Sequence, residues 1–340
     1  MDIMKTTRRS FLTFATAAAA AGLPVLGRPA WAATGSDKLT KATVRLAFNY
    51  NGHRSPYLLA VDKGFYRDVG LDVEVLEGKG VTSSMQLVAG KQDTFTIVDP
   101  PSLMLGAAQG MPVRQVTQLY QTSPNALISW KDQGIARPAD LAGKAVATLQ
   151  GDTTTTMLYA LLAKNKVPRG AVQIMASDGG TRNQAFLGKR TQAITGFLND
   201  SYPGMAALTE NGVACFAYSD FGVDTMGDGI AAHADTVASS PEVVRGFVQA
   251  SIRAYQYAMD HPEEAIASLL KRSPSLKADV ELTKLKATAP LLRAKGDAKQ
   301  AIGYSDKARW EETQALMAEF GGLSKTVSDV SVFYTNQFLA

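Results

Sequence analysis

Apolar and polar positions alternate along the chain with two different periods from about residue 43 onward. In the stretch 71–77 (LDVEVLE), apolar residues alternate with acidic ones, which is typical of a strand with one buried face. Other stretches show helical signals. Ser55 followed by Pro56 is a typical helix start, and the pattern predicts a helix that continues to Val61.

The same reading predicts a repeated strand–helix order over most of the chain. It places strands at 43–48, 71–77, 94–98, 113–121, 144–149, 171–177, 192–197 and 213–218, and helices at 55–61, 83–90, 102–109 and 153–166, with another ending at 190. Long amphipathic helices dominate after residue 223. This order predicts an α/β fold in which mainly parallel sheets are flanked by helices.

The first 32 residues form a separate unit with the features of an export signal. Arg8 and Arg9 precede an alanine-rich apolar run that ends in Ala30-Trp31-Ala32, a small-x-small cleavage pattern. The segment 1–32 is therefore predicted to be a twin-arginine signal peptide, cleaved near Ala32, that uses the twin-arginine export machinery to reach the periplasm. An uncleaved anchor or a chance arginine pair is the alternative.

The charge of the remaining chain is close to neutral. Residues 1–32 hold four basic residues and one acidic residue, so the 35 basic and 31 acidic residues of the full chain become 31 and 30. A net charge of +1 gives no basis for a nucleic-acid partner. Cys215 is the only cysteine, which excludes an intrachain disulfide and a thiolate metal cluster. We expect a monomer without cofactor or metal.

Four polar clusters follow predicted strands. They are the loop 49–53, Asp99 with its two prolines, the stretch 150–156 and the stretch 197–200. In open α/β sheets, ligands bind beyond the carboxyl ends of strands, where the connectivity changes direction. We predict two lobes with a ligand cleft between them: lobe I from residues 33–121 and 223–340, and lobe II from residues 126–218 inserted into it.

Several longer stretches resemble a known family. These are NGHRSPYLLAVDKGFYRDVGLDVEV (51–75), LVAGKQDTFTIVDPPSLMLGAAQGMPVRQV (87–116), IARPADLAGKAVAT (135–148), AFLGKRTQAI (185–194), PEVVRGFVQASIRAYQYAMDHPEEAI (241–266) and FYTNQFL (333–339). They are similar to the periplasmic substrate-binding proteins of ABC importers in the nitrate, sulfonate, taurine and thiamine-pyrimidine group, which carry an NMT1/THI5-like domain. The resemblance implies a type II periplasmic binding fold with two Rossmann-like lobes, a hinged cleft, and delivery of a small solute to a permease and its ATPase.

The pyrimidine-binding members show the greatest similarity, because they share the spacing from His53 to Tyr57. Those relatives usually carry a stacking Trp six residues before the His, and this chain has Ala47 there, followed by Phe48. Phe48 or Tyr50 could stack on a planar ring instead.

Ten residues are the candidates for ligand binding, each with a structural alternative. His53 can exchange hydrogen bonds with a ligand or with its own loop, and the asparagines can serve turn geometry alone. A carboxylate at Asp99 can bind an amine or cap a helix, and the helix start at 151–154 can bind an anion or be capped by Asp152. The candidates are Phe48, Asn49, Asn51, His53, Tyr57, Asp99, Gly151, Thr153, Thr154 and Asn199.

Three functions fit these features. The first is a non-enzymatic binding protein for uptake of a planar heteroaromatic such as a pyrimidine, or of a small carboxylate or sulfonate. The second is an enzyme, because the same domain resembles a pyrimidine synthase associated with a cysteine-rich motif and iron, which one cysteine and an export signal argue against. The third is a sensor that presents its ligand to a membrane partner.

Overall fold

The computed structural model describes residues 39–294 and 301–339, so the predicted signal segment 1–32 lies outside the described residues. Ten strands are present in this part of the chain: β1 Thr40–Arg45, β2 Leu71–Leu76, β3 Phe95–Val98, β4 Val113–Gln118, β5 Asn125–Trp130, β6 Ala145–Leu149, β7 Gln173–Ser177, β8 Ala193–Phe197, β9 Val213–Ala217 and β10 Gly229–His233. The α-helices of the same ranges are α1 Ser55–Asp62, α2 Val81–Ala89, α3 Pro100–Ala108, α4 Thr153–Lys164, α5 Gly179–Leu187, α6 Ser201–Leu208, α7 Ala234–Ser239, α8 Pro241–Asp260, α9 Pro262–Leu270, α10 Ala278–Lys286 and α11 Lys307–Phe320.

The strands form two five-stranded sheets with the same topology. The first sheet has the order β2-β1-β3-β10-β4, and the second has the order β7-β6-β8-β5-β9. β1 pairs in parallel with β2 and β3, as β6 does with β7 and β8. The predicted α/β class is confirmed, but both sheets are mixed, because half of the strand pairings are antiparallel.

One strand in each sheet runs antiparallel to its neighbours, and the sequence reading missed both. β10 pairs antiparallel with β3 and β4, and β5 pairs antiparallel with β8 and β9. Each is the first strand after the chain passes from one sheet to the other. The chain leaves the preceding sheet at the carboxyl end of a strand, next to the cleft. The next strand therefore begins at the cleft and runs opposite to the strands that end there.

Local sequence signals explain where the elements near the cleft begin. Asp99 precedes Pro100 and Pro101 and caps α3, because its side chain accepts a hydrogen bond from the Ser102 backbone N–H. Asp152 caps α4 in the same way through the Thr154 backbone N–H. Both helices therefore start shortly after a parallel strand, and their first turns lie next to the gap between the two sheets.

Apolar packing buries the sheets and also joins them. One cluster packs the first sheet against α1, α8 and α9. A second cluster contains side chains from both sheets and from α11, including Val98, Leu127, Met157 and the fully buried Trp310. In the described residues no helix has the length and apolar character needed to cross a membrane.

Candidate functional site

Two cavities of about 750 Å³ and about 420 Å³ lie between the sheets and share the wall residues Phe48, Leu149, Asp152 and Gly179. Their linings come mainly from the segments that follow strands β1, β2, β3, β6, β7 and β8, within the ranges 48–54, 79–86, 102–109, 149–154, 177–183 and 196–201. The strands that supply these segments are the parallel ones. The cavities therefore occupy the place where ligands bind in open α/β sheets.

Residues that line the smaller cavity carry three buried polar atoms without hydrogen-bond partners among the described residues. They are Asn51 Oδ1, His53 Nδ1 and Arg54 Nε. The other amide atom of Asn51, Nδ2, lies 3.5 Å from Asp200 Oδ1 on the opposite side of the cleft. His53 is only 3% exposed. Burial, with a smaller contribution from the neighbouring Arg54, lowers the pKa of His53 to about 3, so its imidazole is neutral near pH 7.

An ionic bridge of Glu281, Lys284 and Asp200 fixes the loop that carries these two residues. Glu281 Oε2 accepts the Gly52 backbone N–H at 2.6 Å, and Glu281 Oε1 accepts from Lys284 Nζ at 2.9 Å. Lys284 Nζ also lies 3.1 Å from Asp200 Oδ1, which belongs to the segment after β8. Burial alone would lower the pKa of Lys284, but Asp200 and Glu281 outweigh burial and raise it.

Aromatic side chains give the smaller cavity flat apolar surfaces. Phe48 is 36% exposed and belongs to the shared wall of both cavities. The Arg54 guanidinium carbon lies 6.0 Å from the Phe48 ring centroid. Phe197, at the end of β8, also lines this cavity. A planar ligand could therefore stack in it beside the unpaired atoms of Asn51 and His53.

The larger cavity lies beside a contact between the two sheets. The Asp99 carboxylate accepts the Ser102 backbone N–H at 2.6 Å and the Thr153 hydroxyl at 3.3 Å. Burial is the main cause that raises the pKa of Asp99 to about 6; the charges of Asp228 and Asp152 act in the same direction, and the hydrogen bonds from Ser102 oppose them. Of the two alternatives from the sequence, the structure shows the cap of α3, and the second oxygen of Asp99 accepts from Thr153 across the cleft.

Seven of the ten candidate residues line the cavities. Phe48, Asn49, Asn51, His53 and Thr154 line the smaller one, and Phe48, Gly151 and Thr153 line the larger one. The start of α4 is not an open anion site, because Asp152 places a carboxylate there that accepts from the Thr154 N–H and hydroxyl.

The other three candidates are not among the lining residues. Tyr57 is fully buried, and its ring lies 5.4 Å edge-on from that of Tyr255. Asn199 is buried and donates from Nδ2 to the Thr288 hydroxyl at 3.1 Å, and Asp99 makes the cap and cross-cleft contact described above.

The sequence reading did not select five charged residues that line the smaller cavity. Arg54, Asp152 and Asp200 adjoin chosen positions, and Arg182 follows β7, so the position of these four after predicted strands could have identified them. Lys284 lies on α10, far along the chain, and gave no such signal. Among the described residues, no group of three or more His, Cys, Asp or Glu side chains is arranged to hold a metal ion.

The proteins similar to this chain include both binding proteins and an enzyme. The riboflavin-binding protein RibY of Chloroflexus aurantiacus is 26% identical over 88% of this chain and 86% of its own. The formylaminopyrimidine-binding protein of Halalkalibacterium halodurans is 22% identical over 82% of this chain and 86% of its own. The 4-amino-5-hydroxymethyl-2-methylpyrimidine phosphate synthase of Legionella pneumophila is 24% identical over 71% of this chain and 77% of its own.

Solved structures identify the fold. The alkanesulfonate-binding protein SsuA of Xanthomonas axonopodis superposes with a TM-score of 0.69 at 14% identity, covering 88% of this chain and 100% of that one. The periplasmic nitrate-binding protein NrtA of Synechocystis superposes with a TM-score of 0.68 at 15% identity, covering 88% and 87%. The expected periplasmic binding fold is confirmed. The family model described as NMT1/THI5 like matches residues 51–265, and this chain belongs to that family.

Proposed function

We propose that this chain is the solute-binding component of an ABC importer, exported to the periplasm, which captures a small planar heteroaromatic solute and delivers it to a membrane permease. The proposal assigns the first sheet to lobe I, expected from the sequence at 33–121 with 223–340, and the second sheet to lobe II, expected at 126–218. The observation that carries the proposal is the pair of buried, unpartnered atoms, Asn51 Oδ1 and His53 Nδ1, beside the exposed ring of Phe48.

The cost of these unpaired atoms supports a ligand. Leaving a buried donor or acceptor without a partner costs about 1–3 kcal/mol. The amide oxygen of Asn51 accepts a hydrogen bond, and the neutral imidazole of His53 offers one nitrogen that donates and one that accepts. The edge of an aminopyrimidine presents donors and acceptors side by side, and its face stacks on an aromatic ring. The names of the riboflavin- and formylaminopyrimidine-binding relatives support the same class of solute.

A binding role requires no chemistry in the cleft, whereas the synthase relative keeps an enzymatic role open as a second candidate. Burial raises the pKa of the Cys215 thiol to about 11, which disfavours the thiolate that a nucleophile or metal ligand needs. Cys215 lies on β9 and is not among the residues that line either cavity. The two functions differ in whether a bound pyrimidine leaves the protein unchanged.

Thermal shift and calorimetric titration of the mature chain would test the proposal. The compounds are aminopyrimidines, flavins, nitrate and alkanesulfonates, and the variants are His53→Ala and His261→Ala. His261 is a matched control, because it lies at the junction of α8 and α9 with half of its side chain exposed. A ligand at a hundredfold its Kd stabilises the wild type by about 2.7 kcal/mol.

We expect an aromatic solute to bind the wild type and His261→Ala equally, and His53→Ala at least about tenfold more weakly, since one hydrogen bond in a dry site is lost. Equal affinity in all three proteins would place the solute elsewhere and contradict the proposal. Mass spectrometry of the ligand after long incubation separates the two candidates: recovery unchanged indicates binding alone, and a new product indicates an enzyme.

A further inference from the structure

The charged side chains around the smaller cavity are unequally neutralised. Five of them line it: Arg54, Asp152, Arg182, Asp200 and Lys284. Lys284 pairs with Asp200 at 3.1 Å, and Arg54 Nη2 lies 3.7 Å from Asp228 Oδ2. The Asp152 carboxylate is occupied as the cap of α4. Arg182 is the one member of the five without a charged partner or a capping role among the described residues.

Arg182 has only neutral hydrogen-bond acceptors. Its Nη1 donates to the Thr195 carbonyl at 3.0 Å, and its Nε and Nη2 donate to Asn183 Oδ1 at 3.1 Å and 3.0 Å. In the described parts of the chain, no carboxylate lies within ion-pair distance of its guanidinium. A guanidinium has five N–H donors, so one N–H on each of Nη1 and Nη2 is left over.

These two remaining N–H groups, one on each terminal nitrogen and together called the Arg182 fork, are the donors that an oxyanion bound through two oxygens would need. Two parallel N–H groups of a guanidinium match the two oxygens of a carboxylate, and such charge-assisted bonds are about twice as strong as neutral ones. Asp152 and Asp200 favour the charge of Arg182 from a distance, while burial opposes it and lowers the pKa of the guanidinium. Arginine stays charged in proteins, so an anionic partner would complete its neutralisation.

The position of Arg182 places this anion site opposite the ring site. Arg182 lies on α5, which follows β7 of the second sheet, whereas Asn51 and His53 belong to the loop after β1 of the first sheet. Both line the same cavity of about 420 Å³. A solute with a planar ring and an anionic group would contact both sides at once, and so would favour the closed cleft.

We propose that the solute is an anionic heteroaromatic compound, whose ring binds at Phe48, Asn51 and His53 and whose carboxylate or other oxyanion binds the Arg182 fork. This inference rests on the proposed function and restricts the class of solute that the protein binds. Arg182 is then the residue that selects the charged form of the solute over a neutral compound of the same shape.

Pairs of compounds of nearly the same shape provide the test, in which one member has an anionic carboxylate and the other a neutral carboxamide. We would titrate 4-aminopyrimidine-5-carboxylate against 4-aminopyrimidine-5-carboxamide, and nicotinate against nicotinamide, into the wild type and three variants. The variants are Arg182→Gln, Arg182→Lys and Arg190→Gln. Arg190 is an exposed residue in the turn after α5, and it is the matched control.

The wild type should prefer the carboxylate by about ten- to a hundredfold, the range expected for a charge-assisted hydrogen bond. Arg182→Gln should bind the two members of a pair equally, Arg182→Lys should keep part of the preference, and Arg190→Gln should keep all of it. An Arg182→Gln variant with the circular dichroism spectrum and unfolding temperature of the wild type is correctly folded, so loss of the preference there would be specific.

The outcomes separate this inference from the proposed function. If the wild type binds both members of each pair equally, or if Arg182→Gln retains the full preference, the anion site is wrong while the solute-binding function stands. If no ring compound of either charge binds the wild type, the proposed function fails as well.

Discussion

Glu281 connects α10 to the loop that carries Asn51 and His53. Removal of its side chain should lower the stability of the protein by more than the loss of one charge would. Glu281 is 3% exposed and accepts both the Gly52 N–H and the Lys284 ammonium. Truncation by Glu281→Ala leaves the Gly52 N–H buried without an acceptor, which costs about 1–3 kcal/mol.

The same truncation removes one of two carboxylates from Lys284. Breaking a buried ion pair from one side costs about 3–5 kcal/mol, but Lys284 keeps Asp200 at 3.1 Å, so the lower end applies. The two effects share one side chain and do not add fully. We expect Glu281→Ala to lower the free energy of unfolding by about 3 kcal/mol. Glu281→Gln keeps an acceptor for Gly52 and should cost about 1 kcal/mol.

Urea unfolding followed by circular dichroism measures these differences, with Glu263→Ala as control. The Glu263 side chain is 70% exposed and lies 3.6 Å from Lys286, so its loss should change stability by less than about 0.5 kcal/mol. A Glu281→Ala protein as stable as the control would refute this account. A Glu281→Gln protein as unstable as Glu281→Ala would show that the charge, and not the acceptor for Gly52, matters.

Three further predictions concern single groups. The Asp99 pKa of about 6 exceeds that of an unfolded aspartate, about 3.9, so the wild type should lose stability as pH rises from about 4 to 6. The gap between the two pKa values corresponds to about 3 kcal/mol, so in urea titrations Asp99→Asn should gain about 3 kcal/mol of stability relative to the wild type between pH 4 and pH 7. A stability difference between the two proteins that stays constant with pH would contradict this. Gly52→Ala would place a Cβ 1.9 Å from the Glu281 carbonyl oxygen and should cost about 1–3 kcal/mol by thermal unfolding, whereas Gly170→Ala meets nothing within 4 Å and should be neutral. Cys215 should react with a disulfide reagent at pH 8 only on unfolding, and Cys215→Ser should bind solute with wild-type affinity; rapid reaction of the folded protein would contradict its raised pKa.

The position of the cleft could be predicted from the sequence, because parallel strands end at one edge of a sheet. Polar residues after the first and sixth strands, such as Asn51, His53 and Thr154, do line one cavity together. This rule predicts that a residue lies at the carboxyl end of its strand. It does not predict in which direction the side chain points. Asn199 follows a strand in the same way, yet its amide donates to Thr288 and it does not line a cavity.

The antiparallel strands and the contribution of α10 could not be predicted from local patterns. β10 is a five-residue strand, GIAAH, in which four apolar residues precede a histidine, and such short apolar runs do not distinguish a strand from a helix segment. Glu281 and Lys284 are spaced like an ordinary exposed ion pair on a helix surface. Only the packing of α10 against the loop at Gly52 and against α6 turns this pair into a bridge between the two sheets.

The two sheets contact each other through different chemistry at the cleft and away from it. At the cleft, the contacts are polar: Lys284 to Asp200, Asp99 to Thr153 and the buried Asn199 amide. On the other side, α11 packs against both α3 and α4 through apolar side chains around the buried Trp310. Water can replace a polar contact at a net cost of about 1 kcal/mol, whereas exposing an apolar side chain costs about 1.5–3 kcal/mol with no new partner. Opening should therefore begin at the polar side, with α11 holding the sheets together, and amide hydrogen exchange without ligand should be faster in the first turn of α6 than in α11. Equal exchange in both would mean that the cleft does not open this way.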